Sequence, residues 1–558
     1  MKTIIKTVCC ILIVNLSALA ANYAVKSNGS GAFTTIQSCA SAISPGDTCT
    51  VYAGTYNEYV TVPAGTAGNY KTITVNGSDI VSVLGFTLNS HTQLIGNCPT
   101  LQGTVTTATC GFFISNPSSP TSACVNLPNS TTDVYIRKNV MYACGDIGAG
   151  YPTQNSFIYI QGNTESYSNS TIATVPTSCG GSGQPVGSSV SLYGDHFLVE
   201  NNDFSHYTIS VGWNPEYSIV RNNNFHDTNE VNNAGNCHSD TWFSDPGGTN
   251  LVNNSFNVYE GNYQYNAVGP NAKGPLFQAP ACSGCAVAIV RFNVTNRIGS
   301  GSTTNDQNWI SVKVYNNTTA DANYEAGSEG LESDNSTDSN PPRPSFLNQI
   351  YYYSRSGIAT INPYACGNSN NCNYGHNLYW CSGGCTTVFG HMYGSGSFLS
   401  DPGNQNANPM FVNYVSPGTA SNDYHLQAGS PAIAAGTHLT TVASGDSGSG
   451  TSLVVNDSSY FQDGYGLSNP YSTVQGDCIA VTTVTNHVCV TSVNYATNTL
   501  TLASSVTRSS ADSVWLYSKS DGVQVLTGSA PDLGAHPYGG GGTASSPAAP
   551  TNLSAVVQ

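Results

Sequence analysis

Along much of the chain an aliphatic side chain is followed, three positions on, by asparagine. The pattern appears at Leu94-Ile95-Gly96-Asn97, Ile136-Arg137-Lys138-Asn139, Ile160-Gln161-Gly162-Asn163 and Val199-Glu200-Asn201-Asn202. It returns at Val220-Arg221-Asn222-Asn223, Leu251-Val252-Asn253-Asn254, Val290-Arg291-Phe292-Asn293 and Val314-Tyr315-Asn316-Asn317. Successive asparagines lie 42, 24, 39, 21, 31, 39 and 24 residues apart. A unit of 21 to 24 residues with room for inserted loops predicts a three-sided β-coil, each turn made of three short strands and three corners. The aliphatic faces inward, and the asparagine takes the corner, where its tolerance of left-handed backbone suits it and its amide can stack on the next. In three copies a Phe follows the pattern asparagine by two residues, at Phe204, Phe225 and Phe256. Ordinary turns of an antiparallel sandwich could produce single copies, but not this spacing over such a length.

Both ends of the pattern carry further marks. Gly31-Ala32-Phe33-Thr34-Thr35-Ile36-Gln37, Pro45-Gly46-Asp47-Thr48 and Ala53-Gly54-Thr55-Tyr56 open it. Asn408-Pro409-Met410-Phe411-Val412, Asp423-Tyr424-His425-Leu426-Gln427, Gly429-Ser430-Pro431-Ala432-Ile433 and Pro531-Asp532-Leu533-Gly534-Ala535 close it. In these segments the chain resembles the pectate-lyase-like superfamily of secreted bacterial right-handed parallel β-helix proteins. The resemblance covers residues 22–435 and 525–538; it implies the fold and leaves the activity open, because many chemistries use this scaffold. The expected layout is a leader over 1–20, a parallel β-helix over 21–437, an inserted small β-barrel or β-sandwich over 438–522, a closing segment of the helix over 523–538, and a Gly/Ser/Pro linker over 539–558. The insert reads as accessory, a glycan-binding module or a spacer.

Composition narrows the classes. Only 8% of residues are charged, the formal charge is −16, and there are 57 glycines. That excludes nucleic-acid binding through a basic surface and argues against long amphipathic helices. Lys2 and Lys6, the apolar Val8–Leu16 stretch and Ala18-Leu19-Ala20 read as a secretory leader, its apolar core too short to span a bilayer. Secretion without membrane insertion is expected. Eighteen cysteines, two of them in the leader, then read as disulfides, with close pairs at 39/49, 98/110, 366/372, 381/385 and 478/489. Cys282-Ser283-Gly284-Cys285 is a weak zinc or redox signal beside that reading.

Chemistry concentrates in residues 195–278, the run richest in titratable groups. Aligning the coils on the asparagine puts Arg137, Glu200, Arg221 and Arg291 in one outward column, with Glu200 and Arg221 on consecutive turns. That pair reads either as a cross-strand ion pair on a solvated face or as a carboxylate-binding site. Two loops interrupt the coil, one leading into His238-Ser239-Asp240-Thr241-Trp242 and one carrying Tyr263, Tyr265 and Lys273. His238 and Asp240 sit two apart on an extended strand and so share a face. The expected catalytic set is His238, Asp240, Arg221 and Lys273, with Trp213, Trp242, Tyr265 and Arg291 binding sugar and Glu200 and Asp245 offering oxygens to Ca²⁺. The acidic stretch Glu329, Glu332, Asp334 and Asp338 is a second cation candidate, though a solvated loop explains it as well. The function read from these residues is a polysaccharide lyase, in which a base takes the uronate C5 proton and a cation stabilises the charge that develops. A glycoside hydrolase using Asp240 with Asp245 or Glu230 is the alternative, and a non-catalytic surface β-helix the third.

Overall fold

The computed structural model describes residues 20–103, 105–119, 122–148, 154–166, 188–207, 209–228, 239–244, 256–267, 272–278, 288–298, 303–306, 312–322, 332–334, 345–354, 360–361, 365–366, 373–382, 387–388, 399 and 401–539. Thirty-four strands are joined by parallel pairing into one assembly, and each strand pairs with strands about one coil away in sequence. The result is a right-handed parallel β-helix of three sheets, as the repeat implied.

The first sheet carries the aliphatic of the repeat. Ile73, Leu94, Ile136, Ile160, Val199, Val220, Tyr259, Val290, Val314 and Phe346 are successive Cα partners and form one wall of the apolar interior. We call this the Arg221 sheet. A two-residue corner leads to a second, the His226 sheet, where Phe204 and Phe225 stack inward at 5.6 Å. The third, the Asp240 sheet, includes Ser188–Glu200, Ile209–Glu216, Ser239–Ser244, Ala272–Gln278, Thr303–Asp306 and Glu332–Asp334. Ser188–Glu200 bends from this sheet into the Arg221 sheet at His196, whose φ is 57°.

The corner between the first two sheets is built from two residues with separate roles. The left-handed position is the one before the pattern asparagine: Lys138, Asn201, Asn222, Phe292 and Asn316 have φ between 53° and 55°, and glycine fills it at 162 and 261. The asparagine itself forms the ladder. Asn202 Oδ1 accepts from the backbone N–H (2.8 Å) and Nδ2 (3.1 Å) of Asn163, while Asn202 Nδ2 donates to Asn223 Oδ1 and to Ile160 O, both at 2.9 Å. The same bonding runs through Asn223, Asn262 and Asn293 to Asn317 and continues through Gln349 and Asn377 to Asn404. From Asn163 to Asn293 each amide is buried with its hydrogen-bonding capacity filled, which is why asparagine recurs, whereas Gln349 Nε2 is buried without a partner. The rung after Asn223 is Asn262, not Asn254, which lies outside the described residues. Its coil reads Tyr259-Glu260-Gly261-Asn262, an aromatic standing where the aliphatic was expected. Phe256 likewise leaves the Phe204/Phe225 column, where Gln264 takes the next place. It joins a different corner, stacked in the order Phe157, His196, Tyr217, Phe256 at 4.6, 5.4 and 5.0 Å.

Helix Ile36–Ala42, capped by Thr35, covers the first coil with buried Ile36, Cys39 and Ala40. Glu58 accepts from the backbone N–H groups of Ile36 and Gln37, at the positive end of that helix. At the far end Phe411–Asn413 pairs antiparallel with Asp423–Leu426 and packs with Leu533 and Ala535 on Val294, Ala320 and Ile350. Gly534 (φ 84°) passes Ile350 so closely that a Cβ would lie 2.6 Å from Cδ1. Between these closing segments, six antiparallel strands from Thr440 to Ser518 form one sheet, and a bridge between Val442 and Val455 joins its outer strands into a small barrel. Disulfides link Cys39–Cys49, Cys98–Cys110, Cys124–Cys144 and Cys478–Cys489, and Cys381 is also disulfide-bonded. The 124–144 link was not expected from spacing, because its partners come from different coils. Such cross-links fit an oxidising compartment. Among the described residues no helix is long and apolar enough to cross a membrane.

The amide ladder gives a direct test. Asn223→Ala removes the acceptor of two Asn202 donors and strands a buried backbone N–H, a loss of about 2–4 kcal/mol. Denaturant unfolding should record that drop with the parallel-sheet circular dichroism of the folded state retained.

Candidate functional site

The outward column of the Arg221 sheet is a buried charge row. In register it runs Arg137, Gln161, Glu200, Arg221, Glu260, Arg291 and Tyr315. Gln161 Nε2 donates to Glu200 Oε1 at 2.7 Å, and Arg221 Nε donates to Glu200 Oε2 at 2.7 Å. Arg291 Nε donates to Glu260 Oε2 at 2.7 Å. The barrel lies on this row and completes it. Arg221 donates to Ser520 Oγ, Ser472 Oγ and Thr473 O at 2.8–3.0 Å, and Arg291 makes a two-pronged pair with Asp477 at 2.7 Å. Arg137 stacks on the Tyr471 ring at 3.6 Å. A flanking apolar row, Tyr135, Tyr159, Leu198, Ile219, Val258 and Ile289, shares one cluster with Phe461, Leu467, Val474 and Ile479 of the barrel.

This corrects three expectations. Arg221 and Arg291 are 2% and 0% exposed, so neither meets a substrate, and the Glu200–Arg221 pair is cross-strand but not solvated. Glu200 has both oxygens engaged and cannot hold Ca²⁺. Burial works against the charge on Arg291, but Asp477 and Glu260 outweigh it and hold its proton more tightly than usual. What misled the sequence reading was the insert: nothing in the repeat says which face it covers.

The Asp240 sheet holds two of the expected catalytic residues as neighbours. Ile209, Asp240 and Lys273 are successive Cα partners, so Asp240 and Lys273 sit one strand spacing apart, ~4.8 Å. Long connections border these strands: residues 227–238 and 245–256 flank Ser239–Ser244, and 279–287 follows Ala272–Gln278. The Asn-ladder corner has two residues by contrast. Trp242 pairs with Val211 and Trp213 with Ser244, so the two tryptophans are offset by two positions rather than matched. His238 and Asp245 lie outside the described residues, as do Glu329 and Asp338; Glu332 and Asp334 are on a strand of this sheet, partnered by Thr303 and Asn305. Among the described residues no group of three His, Cys, Asp or Glu could hold a metal ion.

A cluster that sequence reasoning did not single out lies on the outer side of the His226 sheet. His226 Nε2 meets Asp203 Oδ1 at 2.9 Å, and His226 Nδ1 meets Asp227 Oδ2 at 2.7 Å. Tyr265 stacks on the imidazole at 4.9 Å with an interplanar angle of 1°, so this tyrosine is engaged by His226 rather than open to a sugar. Asp227 also accepts from Asn266, whose Oδ1 accepts from Arg297 Nη1 at 3.1 Å. Burial disfavours the imidazolium, but the two carboxylates prevail and raise His226 to about 10. Asp227, also opposed by burial, is held below the usual carboxylate range by His226. With both nitrogens committed, His226 has no lone pair to act as a base. It is a positioning residue that fixes the start of the 227–238 connection. Parity could have revealed it: once Phe204 and Phe225 point inward, Asp203 and His226 must point out together.

A third cluster sits where the Asp240 sheet turns into the Arg221 sheet. Asp195 and Glu216 are Cα partners on consecutive coils, and Asp195 Oδ1 meets His196 Nδ1 at 2.6 Å. Burial, and after it the Asp195 charge, raises the Glu216 carboxyl.

No family model and no curated protein matches the chain. Several solved structures are similar in fold. XylC in complex with xylose is 11% identical, with 70% of this chain and 87% of that chain covered and a TM-score of 0.43. Pectate lyase Pel9A is 13% identical, covering 78% and 94% at a TM-score of 0.34. The Yersinia enterocolitica family 28 exopolygalacturonase is 8% identical, covering 70% and 79% at 0.33. Likeness at this level describes the coil and carries nothing about chemistry in this chain.

Two expectations follow from the buried charges. Arg291→Met leaves Glu260 and Asp477 buried without a cation and should cost ~3–5 kcal/mol in denaturant unfolding, with part restored by adding Asp477→Asn. For His226 the folded pKa, about 10, lies above the unfolded one, so its contribution is whole below the unfolded value near ~6.5 and is lost as pH climbs toward about 10. Thermal unfolding should therefore fall across that alkaline window. In His226→Gln the midpoint should start lower at neutral pH and show a flatter alkaline slope.

Proposed function

We propose that this protein processes a polysaccharide lying along the Asp240 sheet and cuts it by β-elimination. The observation that carries the reading is the Ile209, Asp240, Lys273 register, which puts a carboxylate position and an ammonium position one strand apart between long connections. The strand partners of Asp240 are Ile209 and Lys273, so the position beside this carboxylate in the register is that of a cation. His238, two positions before Asp240, is the base. Asp240 polarises it, and Lys273 takes the stabilising role once assigned to Arg221. The base removes the proton from C5 of a uronate, the electron pair forms the C4–C5 double bond, and the C4–O bond breaks. The leaving oxygen takes its proton from solvent. Lys273 faces the charge that develops on the carboxylate in between. No step is routed through Ca²⁺, since Glu200 is engaged elsewhere.

One observation favours a second reading, a retaining glycoside hydrolase. Asp195 and Glu216 are strand neighbours, their backbones one strand spacing (~4.8 Å) apart, with Glu216 raised and suited to donate a proton within a carboxylate pair. The two readings predict different products. Incubation with a panel of uronate-containing and neutral polysaccharides should give ultraviolet-absorbing unsaturated ends, and Asp240→Asn or Lys273→Met should lower turnover on the order of 10²-fold with the fold intact. New reducing ends without unsaturation, abolished by Glu216→Gln, would move the chemistry to the second pair. Neither product from any polymer would leave a binding protein.

A further inference from the structure

The barrel meets the last coils of the helix around a solvent-open cleft of about 390 Å³, remote in sequence from every residue of the proposed chemistry. Its helix side includes Asn373, Tyr374 and His376, and its barrel side His438, Asn456 and Asp457. The volume falls within the range of small-ligand sites, far above that of a single water.

The walls are polar without a strong field. Asp457, the acidic residue in the lining, is paired with Lys313 at 2.7 Å, so the cleft does not present an uncompensated carboxylate to a cation. Among the described residues no lysine or arginine lines it, so those walls offer an anion no cation. His376 is held by a hydrogen bond from Nδ1 to Ala435 O at 3.1 Å, which makes Nε2 the ring's acceptor. That placement requires Gly403, where a Cβ would lie 2.5 Å from the imidazole nitrogen. His438 Nδ1 is 3.4 Å from Ser513 Oγ, and burial together with His376 lowers its pKa, so it is a neutral imidazole at neutral pH. Asn373 Nδ2 is 3.3 Å from Tyr460 OH, setting an amide beside a phenol at the cleft floor. Amides, imidazoles and phenolic edges arranged around a cleft of this size match a ligand with many hydroxyls and no charge.

We propose that this cleft is a binding site for an uncharged sugar of one or two rings, separate from the site of cleavage. The barrel is then more than a cover for the charge row: its junction with the coil makes a second saccharide contact. The inference does not depend on the β-elimination reading.

Saturation-transfer NMR with glucose, galactose and cellobiose as probes, and galacturonate as the charged comparison, tests it on the full chain. The expected result is saturable transfer to at least one neutral probe that Thr441→Trp removes, while any transfer to galacturonate, a ligand for the proposed cleavage site, is unchanged by that variant. Thr441→Trp, which fills the cleft from a partly exposed strand position, and His438→Ala should each weaken that binding by about tenfold or more, with the thermal midpoint and polymer turnover of Thr441→Trp unchanged. Asp240→Asn should leave it intact, which separates this site from the proposed catalytic one. No transfer to any neutral probe overturns the proposal, as does neutral-probe transfer that survives both cleft variants or galacturonate transfer that Thr441→Trp abolishes along with it.

Discussion

The buried guanidinium–carboxylate row between the coil and the barrel decides which faces of this molecule are available to anything else. A parallel β-helix offers three outer faces of similar texture, and in isolation any of them could carry a ligand. Here Arg221 and Arg291 are inserted between Glu200, Glu260 and Asp477 at a surface that excludes water. Charges in such a place stay only if every partner is present, because an unmatched one costs several kcal/mol. The barrel supplies Asp477, Ser472 and Ser520, so it must sit in one position on the coil. An apolar interface alone would tolerate sliding by a rung; a row of alternating sign does not. The first sheet is therefore closed along this row, which is why the proposed chemistry is assigned to the Asp240 sheet.

How far the sequence disclosed this depends on what each feature repeats with. The coil was legible because its interior row and its amide ladder recur once per turn, and both follow from burial: an apolar side chain inside, and an amide that saturates its own bonds at the corner. Where the repeat relaxes, the reading slipped. Tyr259 replaces the aliphatic, so the rung was placed at Asn254 instead of Asn262. The left-handed backbone was credited to the ladder asparagine, whereas the residue before it takes that conformation, as Lys138 and Phe292 show by adopting it without being asparagine.

The site was only partly legible for a different reason. Asp240 and Lys273 were expected at one site, but with Lys273 in an interrupting loop; it lies instead on the strand Ala272–Gln278, as the Cα partner of Asp240. Arg221 was added on chemical grounds, as a cation near carboxylates, but its column faces the barrel. Spacing along one coil cannot say what another part of the chain lays upon it. The Asp203–His226–Asp227 cluster was missed although it is periodic, because attention to the inward phenylalanines was not carried to the alternate positions they imply.

The same covering bears on substrate charge. The chain holds 15 lysines and arginines in all, two of them among the first twenty residues. Arg221, Arg291, Lys313, Arg508 and Lys519 are each paired with a carboxylate, and every one of those pairs involves the barrel or the sheet beneath it. Arg137 is turned onto Tyr471. Two of these pairs, Arg291 with Asp477 and Lys313 with Asp457, join the two parts of the molecule, and the others hold their cations within one part, so these residues offer a polyanion little. A polyuronate approaching the Asp240 sheet would be repelled at long range, over a distance that shrinks to ~10 Å at 0.1 M salt. Close contact must then rest on a local cation, which on that sheet puts the weight on Lys273. A sparsely charged or neutral polymer meets no such barrier, and the uncharged cleft beside His376 and His438 is suited to the same kind of ligand. The arrangement favours glycans whose uronates are spaced among neutral sugars over a continuous run of acids.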